Sequence, residues 1–291
     1  MDELLPDLQS ICGSPVVLGV FGLLVGSFLN VVILRIPERM AASWRMEARE
    51  ILELPAVDEP APPGIVREPS HCPHCKHPLA WYDNVPLLGW LALRGRCRYC
   101  KVPISIQYPL VEAITGITSA VVVWHFGPTM AAVSALVLTW FLVAMSGIDA
   151  RTQLLPDQMN YPLLWLGLAL TLVPAWQPVD VSPAGAIVGA LIGYLSLWSI
   201  YWLFKLTTGK EGMGFGDFKL LAALGAWLGW KMILPIVLGA SVIGAIVGII
   251  MKMSSSLREG HYVPFGPFLA GAGLVVLFAG PERVLGWLRW S

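Results

Sequence analysis

The chain alternates long apolar runs with short polar connections, and this pattern predicts its architecture. The stretch 110–148 carries Glu112 as its only formal charge, and the stretch 220–251 carries only Lys231. Apolar runs that reach about 20 residues are typical of transmembrane helices. The predicted membrane spans are, approximately, 16–36, 110–126, 129–148, 160–176, 184–204, 218–230, 232–251 and 264–280. We therefore expect an all-α polytopic membrane protein with about eight transmembrane helices.

The composition is also typical of a membrane protein. Of the 291 residues, 56% are hydrophobic and only 13% are charged. In a soluble domain, roughly a quarter of the residues are charged. The formal net charge is zero. Since a nucleic acid favours a basic partner, this balance argues against a nucleic-acid-binding function.

One long polar stretch interrupts the apolar pattern after the first span. It begins with a charged amphipathic segment and continues through a proline-rich linker to a cysteine-containing region. We therefore predict three parts: 1–36, with an N-terminal segment and the first transmembrane helix; 37–108, a small domain outside the bilayer; and 109–291, a seven-helix transmembrane domain.

The basic residues predict which side of the membrane each segment faces. If the N-terminus is outside, the inner segments hold 16 of the 19 Lys and Arg residues. Basic residues are enriched in cytoplasmic loops, and the opposite topology would place these 16 outside. The acidic residues ahead of the first span, among them Asp2 and Glu3, do not resemble the basic start of a signal peptide. We expect a retained first span, a periplasmic N-terminus and a cytosolic 37–108 region.

Four of the five cysteines form two Cys-x-x-Cys pairs, Cys72/Cys75 and Cys97/Cys100, with 21 residues between them. Four thiolates from two tight turns suit tetrahedral zinc, and a closed shell of four cysteines is structural. The reducing cytosol disfavours a disulfide at this position. We predict one structural zinc ion per chain, with a redox dithiol as the alternative. Cys12 is interpreted as a passive thiol.

Two acidic residues at the predicted inner face could perform chemistry together. Asp149 ends the third span, and Asp217 precedes the short span at 218–230. Gly214 and Gly216 frame Asp217 and permit unusual backbone angles or a close approach. Two neighbouring carboxyls share a proton, so one can act as a base toward water and the other as an acid toward a carbonyl. We hypothesise that Asp149 and Asp217 are this pair; the alternative is passive interfacial charge.

Asp157 lies in the loop after Asp149, and the residues alone do not exclude it from an active site. It also precedes the fourth span, where a helix dipole favours a negative charge. Two other function classes stay open at this point. A transporter could use the acids for ion coupling, although such groups usually lie near the bilayer midplane. An assembly factor could bind apolar helices through glycine-rich spans.

Several longer motifs together resemble those of the bacterial type IV prepilin peptidases, or prepilin leader peptidase/N-methyltransferases. They are Gly26-Ser-Phe-Leu-Asn30 in the first span, the paired Cys-x-x-Cys, Leu93-Arg-Gly95-Arg-Cys97, Ile104-Ser-Ile-Gln-Tyr-Pro-Leu-Val-Glu112, Asp149 and Gly214-Phe-Gly216-Asp217. The resemblance extends over nearly the whole chain.

The resemblance implies a GxGD-type aspartyl protease whose catalytic residues match Asp149 and Asp217. Its substrates would be type IV prepilins and type II secretion pseudopilins, processed at the cytosolic face of a bacterial inner membrane. It also implies that the N-terminal part methylates the new N-terminus with S-adenosylmethionine. Asn30, Gly95 and Glu112 are candidates for that site because they lie in family-like segments. A peptidase without methyl transfer is the alternative.

Overall fold

The computed structural model describes residues 13–55, 61–66, 68–210, 212–253, 263–287 and 289, and within these ranges the secondary structure is helical apart from two isolated β-bridges. Ten α-helices follow one another within the described residues, and the all-α prediction is confirmed. They are α1 Pro15–Ile51, α2 Leu88–Ala92, α3 Gln107–Phe126, α4 Met130–Thr152, α5 Asp157–Leu170, α6 Pro183–Thr208, α7 Phe215–Leu228, α8 Ile233–Met253, α9 Gly266–Ala279 and α10 Pro281–Trp287. Cys12 and the rest of 1–12 lie outside the described residues.

Membrane-spanning length is reached by fewer helices than the sequence predicts. Among the described residues, five helices are long and apolar enough to cross a bilayer: Pro15–Ile51, Gln107–Phe126, Met130–Thr152, Pro183–Thr208 and Trp230–Met253. A sixth span results if α9 and α10, which meet at 106°, are counted as one. The predicted count of about eight is therefore not confirmed.

With α9 and α10 counted as one span, the remaining difference of two arises from the short helices α5 and α7, which have 14 residues each. At 1.5 Å per residue such a helix is about 21 Å long, less than a hydrocarbon core of roughly 30 Å. Apolar flanking residues extend the hydrophobic run in the sequence, but they do not continue the helix. For α7 this agrees with the expectation that the span at 218–230 is short.

The chain divides into two compact units, Met1–Trp124 and His125–Ser291. In the first unit α1 continues without a break from the apolar span into the charged segment, passing through Pro37. Helix α3 packs closely against α1 at glycines. A Cβ atom on Gly26 would lie 2.7 Å from the Cα of Glu112, and one on Gly22 would lie 2.5 Å from the Oγ of Ser119. Small residues at such contacts let two helix backbones approach.

In the second unit α7 is the central helix, and every residue from Leu220 to Leu228 is buried. It packs against α5, α6 and α9. A Cβ atom on Gly189 of α6 would lie 2.2 Å from the carbonyl oxygen of Gly225 in α7, so only glycine fits at this crossing. On the other side Trp227 donates a hydrogen bond of 2.8 Å from Nε1 to the carbonyl oxygen of Leu163 in α5. These contacts fix α7, whose first turn carries Asp217.

Candidate active site and metal centre

Asp149 and Asp217 come together in the second unit, each from a different helix. Asp149 lies in the last turn of α4 and Asp217 in the first turn of α7. Both are buried, with exposed fractions of 5% and 7%. The segments that carry the two acids adjoin, because Leu155, six residues after Asp149, contacts Gly216, the residue before Asp217. Two buried acids therefore lie at the ends of α4 and α7 in the second unit.

The segment after Asp149 brings these helix ends together. Helix α4 ends at Thr152, the φ of 56° at the next residue, Gln153, turns the chain, and Leu155 then contacts the start of α7. A Cβ atom on Gly216 would lie 2.6 Å from the Cβ of Leu155. Gly214 is the N-cap of α7 in an extended conformation, and its carbonyl accepts a hydrogen bond of 3.3 Å from the N–H of Asp217. Gly216 is thus required for a close approach, whereas the extended backbone of Gly214, with φ −81° and ψ 147°, is open to other residues as well.

An aromatic cluster holds the first turn of α7 against α6. The ring of Tyr201 lies 5.2 Å from that of Phe215 and 5.8 Å from that of Phe218, and Tyr194 lies 5.9 Å from Phe218. Edge-to-face and tilted arrangements at these distances are favourable for aromatic rings. The residues on either side of Asp217 are therefore anchored.

The two acids differ in their hydrogen bonds. Oδ2 of Asp149 accepts a hydrogen bond of 2.8 Å from the backbone N–H of Gly266, the first residue of α9. Oδ1 of Asp217 is buried and has no hydrogen-bond partner among the described residues. A buried acceptor without a partner is costly, and a catalytic role is one of the explanations for such an atom. Asp217 can therefore take a proton, a water molecule or a substrate group at this atom.

Sequence reasoning missed Gly266 and Lys219. Gly266 is followed by Pro267, and a proline at the start of a helix marks an N-terminus with free N–H groups. That signal was present in the sequence, but it did not indicate which acid the N–H would meet. Lys219 lies within the α7 sequence, and its partner is Asp157, at distances of 2.6 and 2.7 Å. Asp157 is therefore an ion-paired residue at the start of α5.

The four cysteines Cys72, Cys75, Cys97 and Cys100 form a cluster in which all sulfur atoms lie within 4.8 Å of one another. The Sγ atoms of Cys72 and Cys100 are 3.7 Å apart. A tetrahedron with metal–sulfur bonds of about 2.3 Å has edges of about 3.8 Å. The cluster therefore has the donor type and the spacing to hold one metal ion.

The two Cys-x-x-Cys turns have the same local structure. The N–H of Cys72 bonds to the carbonyl of His77, and the N–H of Cys97 bonds to the carbonyl of Val102. Isolated bridges, His71 to Pro78 and Arg96 to Pro103, close each turn. The residue after the second cysteine, Lys76 or Lys101, has a positive φ of 58° or 60°. Each turn therefore directs two sulfur atoms to the same point.

Local hydrogen bonds favour thiolates in this cluster. The backbone N–H of Cys75 is the main cause of a lowered pKa at Cys72. Backbone N–H groups of Cys100 and Tyr99 lower the pKa of Cys97 to about 6. At Cys100 the N–H of Val102 acts in the same direction, but burial and the neighbouring thiols raise the pKa to about 11. Not all four sulfurs can be ionised without a cation, so this donor set suits a divalent metal.

The three remaining candidates lie in the first unit. Asn30 is buried in α1, donates a hydrogen bond of 3.0 Å from Nδ2 to the carbonyl of Tyr108, and has no partner for Oδ1 among the described residues. Glu112 is buried in α3 and accepts a hydrogen bond of 2.8 Å from the N–H of Leu87. Gly95 has a φ of 67° and precedes the second cysteine turn.

The helices, the carboxyl pair and the four-thiol cluster define a polytopic membrane protein with one candidate hydrolytic site and one candidate metal site. Two family models match the chain: the bacterial peptidase A24 N-terminal domain at residues 20–126 and the type IV leader peptidase family at residues 136–249. No solved structure matches the chain.

Curated relatives match the chain over nearly its full length. A prepilin leader peptidase/N-methyltransferase from Xanthomonas campestris is 55% identical, covering 96% of each chain. Proteins of the same name from Stutzerimonas stutzeri and Pseudomonas aeruginosa are 50% and 49% identical, over 94% and 93% of this chain and 93% and 92% of theirs. The chain belongs to the prepilin leader peptidase/N-methyltransferase family.

Proposed function

We propose that Asp149 and Asp217 are the catalytic carboxyls of an aspartyl endopeptidase that removes the leader from type IV prepilins and type II secretion pseudopilins. The observation that carries this proposal is that two buried carboxyls lie at the ends of α4 and α7, on segments that meet at Leu155 and Gly216, and that Oδ1 of Asp217 has no hydrogen-bond partner among the described residues. Hydrolysis of a peptide needs one group that accepts a proton from water and another that donates one to the carbonyl. Family membership supports the same activity.

The reaction follows from two carboxyls that share one proton. The ionised carboxyl takes a proton from a water molecule, whose oxygen attacks the carbonyl carbon of the scissile bond. The protonated carboxyl gives its proton to the carbonyl oxygen, which forms a tetrahedral diol. When the diol collapses, one of its hydroxyl groups returns a proton to the second carboxylate, and the C–N bond breaks as the amine nitrogen takes the proton that the first carboxyl received from water. Both carboxyls are thereby ready for another cycle.

The proposal includes an orientation in a bacterial inner membrane. The N-terminus lies in the periplasm, and the 37–108 region and both carboxyls face the cytosol. The distribution of Lys and Arg between the segments supports this arrangement. A prepilin carries a basic leader in the cytosol, followed by an apolar helix in the membrane. Its scissile bond would therefore lie at the depth of Asp149 and Asp217.

The proposal divides the chain into three parts. Residues 1–36 hold the N-terminal segment and first span, 37–108 form a cytosolic domain that one structural zinc ion stabilises, and 109–291 form the peptidase domain. Cys72, Cys75, Cys97 and Cys100 would be the zinc ligands, since the four sulfurs have tetrahedral spacing. Zinc supplies folding energy and no reactive position when its shell is closed by four thiolates.

Methyl transfer to the new N-terminal amine is the second proposed activity. S-adenosylmethionine would supply a methyl group held on a positively charged sulfur. Asn30 offers a buried oxygen that has no hydrogen-bond partner in the described part of the chain, and Glu112 offers a buried carboxylate. An oxygen acceptor and a negative charge suit a cationic ligand, either the methyl donor or the pilin ammonium group. These residues and Gly95 are the candidates for this site.

The test uses the purified full-length protein and a prepilin substrate, with leader removal followed by mass spectrometry. We expect Asp149→Asn and Asp217→Asn each to abolish cleavage, because an amide cannot exchange the proton. Asp180→Asn is the matched control, since Asp180 is exposed outside the pair. Retained cleavage in either active-site variant would reject that residue. Labelled S-adenosylmethionine in the same assay, with pre-cleaved pilin, measures methyl transfer separately.

A further inference from the structure

An ion pair joins the two segments that carry the buried acids. Lys219 follows Asp217 by two positions in α7, and Asp157 follows Asp149 by eight positions, at the start of α5. Nζ of Lys219 lies 2.6 Å from Oδ1 and 2.7 Å from Oδ2 of Asp157. The same Nζ lies 5.2 Å from the centre of the Tyr161 ring, one turn further along α5. The two carboxylate oxygens of Asp157 and the ring of Tyr161 therefore fix the position of the Lys219 ammonium group.

Other contacts in the same place connect this pair to the acids. Leu155, between Asp149 and Asp157, lies against Gly216, the residue before Asp217. Nδ2 of Asn160 donates a hydrogen bond of 3.3 Å to the carbonyl oxygen of Leu155. The loop after Asp149 is therefore held at Leu155 and again at Asp157, and both contacts are made with the first five residues of α7.

Asp157 differs from the buried pair in its surroundings. Its side chain is 50% exposed and its carboxylate is taken up by Lys219, whereas Asp149 and Asp217 are 5% and 7% exposed. A carboxylate held by an ammonium group at both oxygens is poorly suited to exchange a proton with substrate. A third proton-exchanging acid is therefore not the role that this geometry favours.

We infer that Asp157 and Lys219 form a positioning pair that holds the loop after Asp149 against the N-terminal part of α7 and so sets the geometry of the two carboxyls. This inference rests on the proposed function, in which Asp149 and Asp217 are the carboxyls that exchange protons with water and substrate. The pair acts through the backbone segments on which these acids are carried, and it does not touch the reacting atoms.

A positioning role and a merely structural role predict different changes in folding stability and in catalytic rate. A partly exposed ion pair contributes little to folding stability. Small displacements of catalytic groups are far more costly, since an error of about 1 Å can reduce a rate by about a hundredfold. Loss of the pair should therefore reduce kcat strongly while the melting temperature changes little.

The experiment compares Asp157→Asn, Lys219→Gln and the double variant in the full-length protein, with kcat and KM for a prepilin peptide and the melting temperature in detergent. We expect each single variant to lose about tenfold or more in kcat, with KM within about twofold of the unchanged protein. The double variant should be no slower than either single one, because the same contact is lost each time. Asp157→Glu and Lys219→Arg should retain most of the activity. Lys210→Gln, an exposed lysine ahead of α7, is the control.

The exchanged pair, Asp157→Lys with Lys219→Asp, restores an ion pair with the charges reversed. It should recover part of the lost kcat, which poor folding of the single variants would not explain. The inference is overturned if Asp157→Asn abolishes cleavage while Lys219→Gln does not, because Asp157 would then act by itself. It is also overturned if both single variants keep normal kcat, or if kcat falls only together with the melting temperature. Cleavage by Asp149→Asn would instead reject the proposed function, so the two failures can be told apart.

Discussion

The backbone N–H of Gly266 donates a hydrogen bond of 2.8 Å to Oδ2 of Asp149, across 117 positions of sequence. Gly266 begins α9, so the carboxyl of Asp149 lies at a helix N-terminus. Free N–H groups at such a terminus bind anions and orient them. Helix α9 therefore contributes to the candidate active site, although it carries neither acid.

We predict that Gly266→Ala strongly reduces leader cleavage. A Cβ atom at this position would lie 2.7 Å from Oδ2 and 3.2 Å from Cγ of Asp149, so the carboxyl would have to move. Because displaced catalytic groups lose rate steeply, we expect at least about a tenfold fall in kcat. Steady-state cleavage of a prepilin peptide by the purified variant measures this effect.

Gly271→Ala is the matched control for that variant. Gly271 lies in the same helix, and a Cβ atom there would meet nothing within 4 Å. It should therefore keep normal kcat, and the two variants should have similar helix content by circular dichroism. Unchanged cleavage by Gly266→Ala would show that the contact with Asp149 is not needed for the reaction.

We predict one zinc ion per chain and its loss in Cys72→Ser. A hydroxyl is a much weaker ligand than a thiolate for this metal, and the other three sulfurs would lose one corner of the tetrahedron. Metal analysis of the purified protein gives the ratio. Limited proteolysis should cut the region around residues 71–103 faster in the variant, because a structural zinc ion contributes folding energy.

His74→Ala is the control for the metal site. His74 is exposed within the first cysteine turn, and a closed shell of four thiolates leaves it no place as a ligand. The variant should keep one zinc ion per chain. Loss of zinc from it, or an intact protein without metal whose thiols oxidise in pairs, would favour the redox alternative.

Acid should release the metal. Protons compete with the cation for the same sulfurs, and the pKa of Cys97 without metal is about 6. Above that pH its thiolate is present and binds the cation, and bound metal moves protonation to a lower pH. We therefore expect zinc to stay bound at pH 7 and to dissociate well below pH 6. A colorimetric zinc indicator during acid titration follows the release, and dissociation that begins above pH 7 would contradict this assignment.

We predict that Gly95→Ala impairs methyl transfer while leader cleavage continues. Its φ of 67° is unfavourable for a residue with a Cβ atom. That atom would also lie 2.8 Å from the ring of Trp90, whose Nε1 donates to the carbonyl of Ile104. The strain is confined to the first unit, whereas both proposed catalytic acids belong to the second. Gly64→Ala, with its nearest neighbour at 3.6 Å, is the control.

The assay for this variant uses two substrates. Uncleaved prepilin reports leader removal, and pre-cleaved pilin with labelled S-adenosylmethionine reports methylation. Equal loss of both activities in Gly95→Ala would point to general misfolding, and normal methylation would remove Gly95 from the candidates.

The parts of the site that could be predicted from sequence depend mostly on contacts between residues that are close along the chain. Each Cys-x-x-Cys turn is closed by hydrogen bonds within a few residues, so its short spacing already limits where the two sulfurs point. Apolar runs likewise predicted where helices occur, because a chain in lipid must satisfy its backbone groups within each segment. The lengths of the helices were less well predicted, because α5 and α7 end although the apolar run in the sequence continues beyond them.

The sequence by itself determined the membrane class, the four-cysteine cluster and the family resemblance that chose Asp149 over Asp157. Only the tertiary structure decided the partners of those acids. Gly266 contacts Asp149, and Lys219 pairs with Asp157, through helices that are distant along the chain. The physical reason is that periodicity and composition describe one segment at a time. Which N–H or ammonium group meets a carboxyl depends on how α4, α5, α7 and α9 pack together.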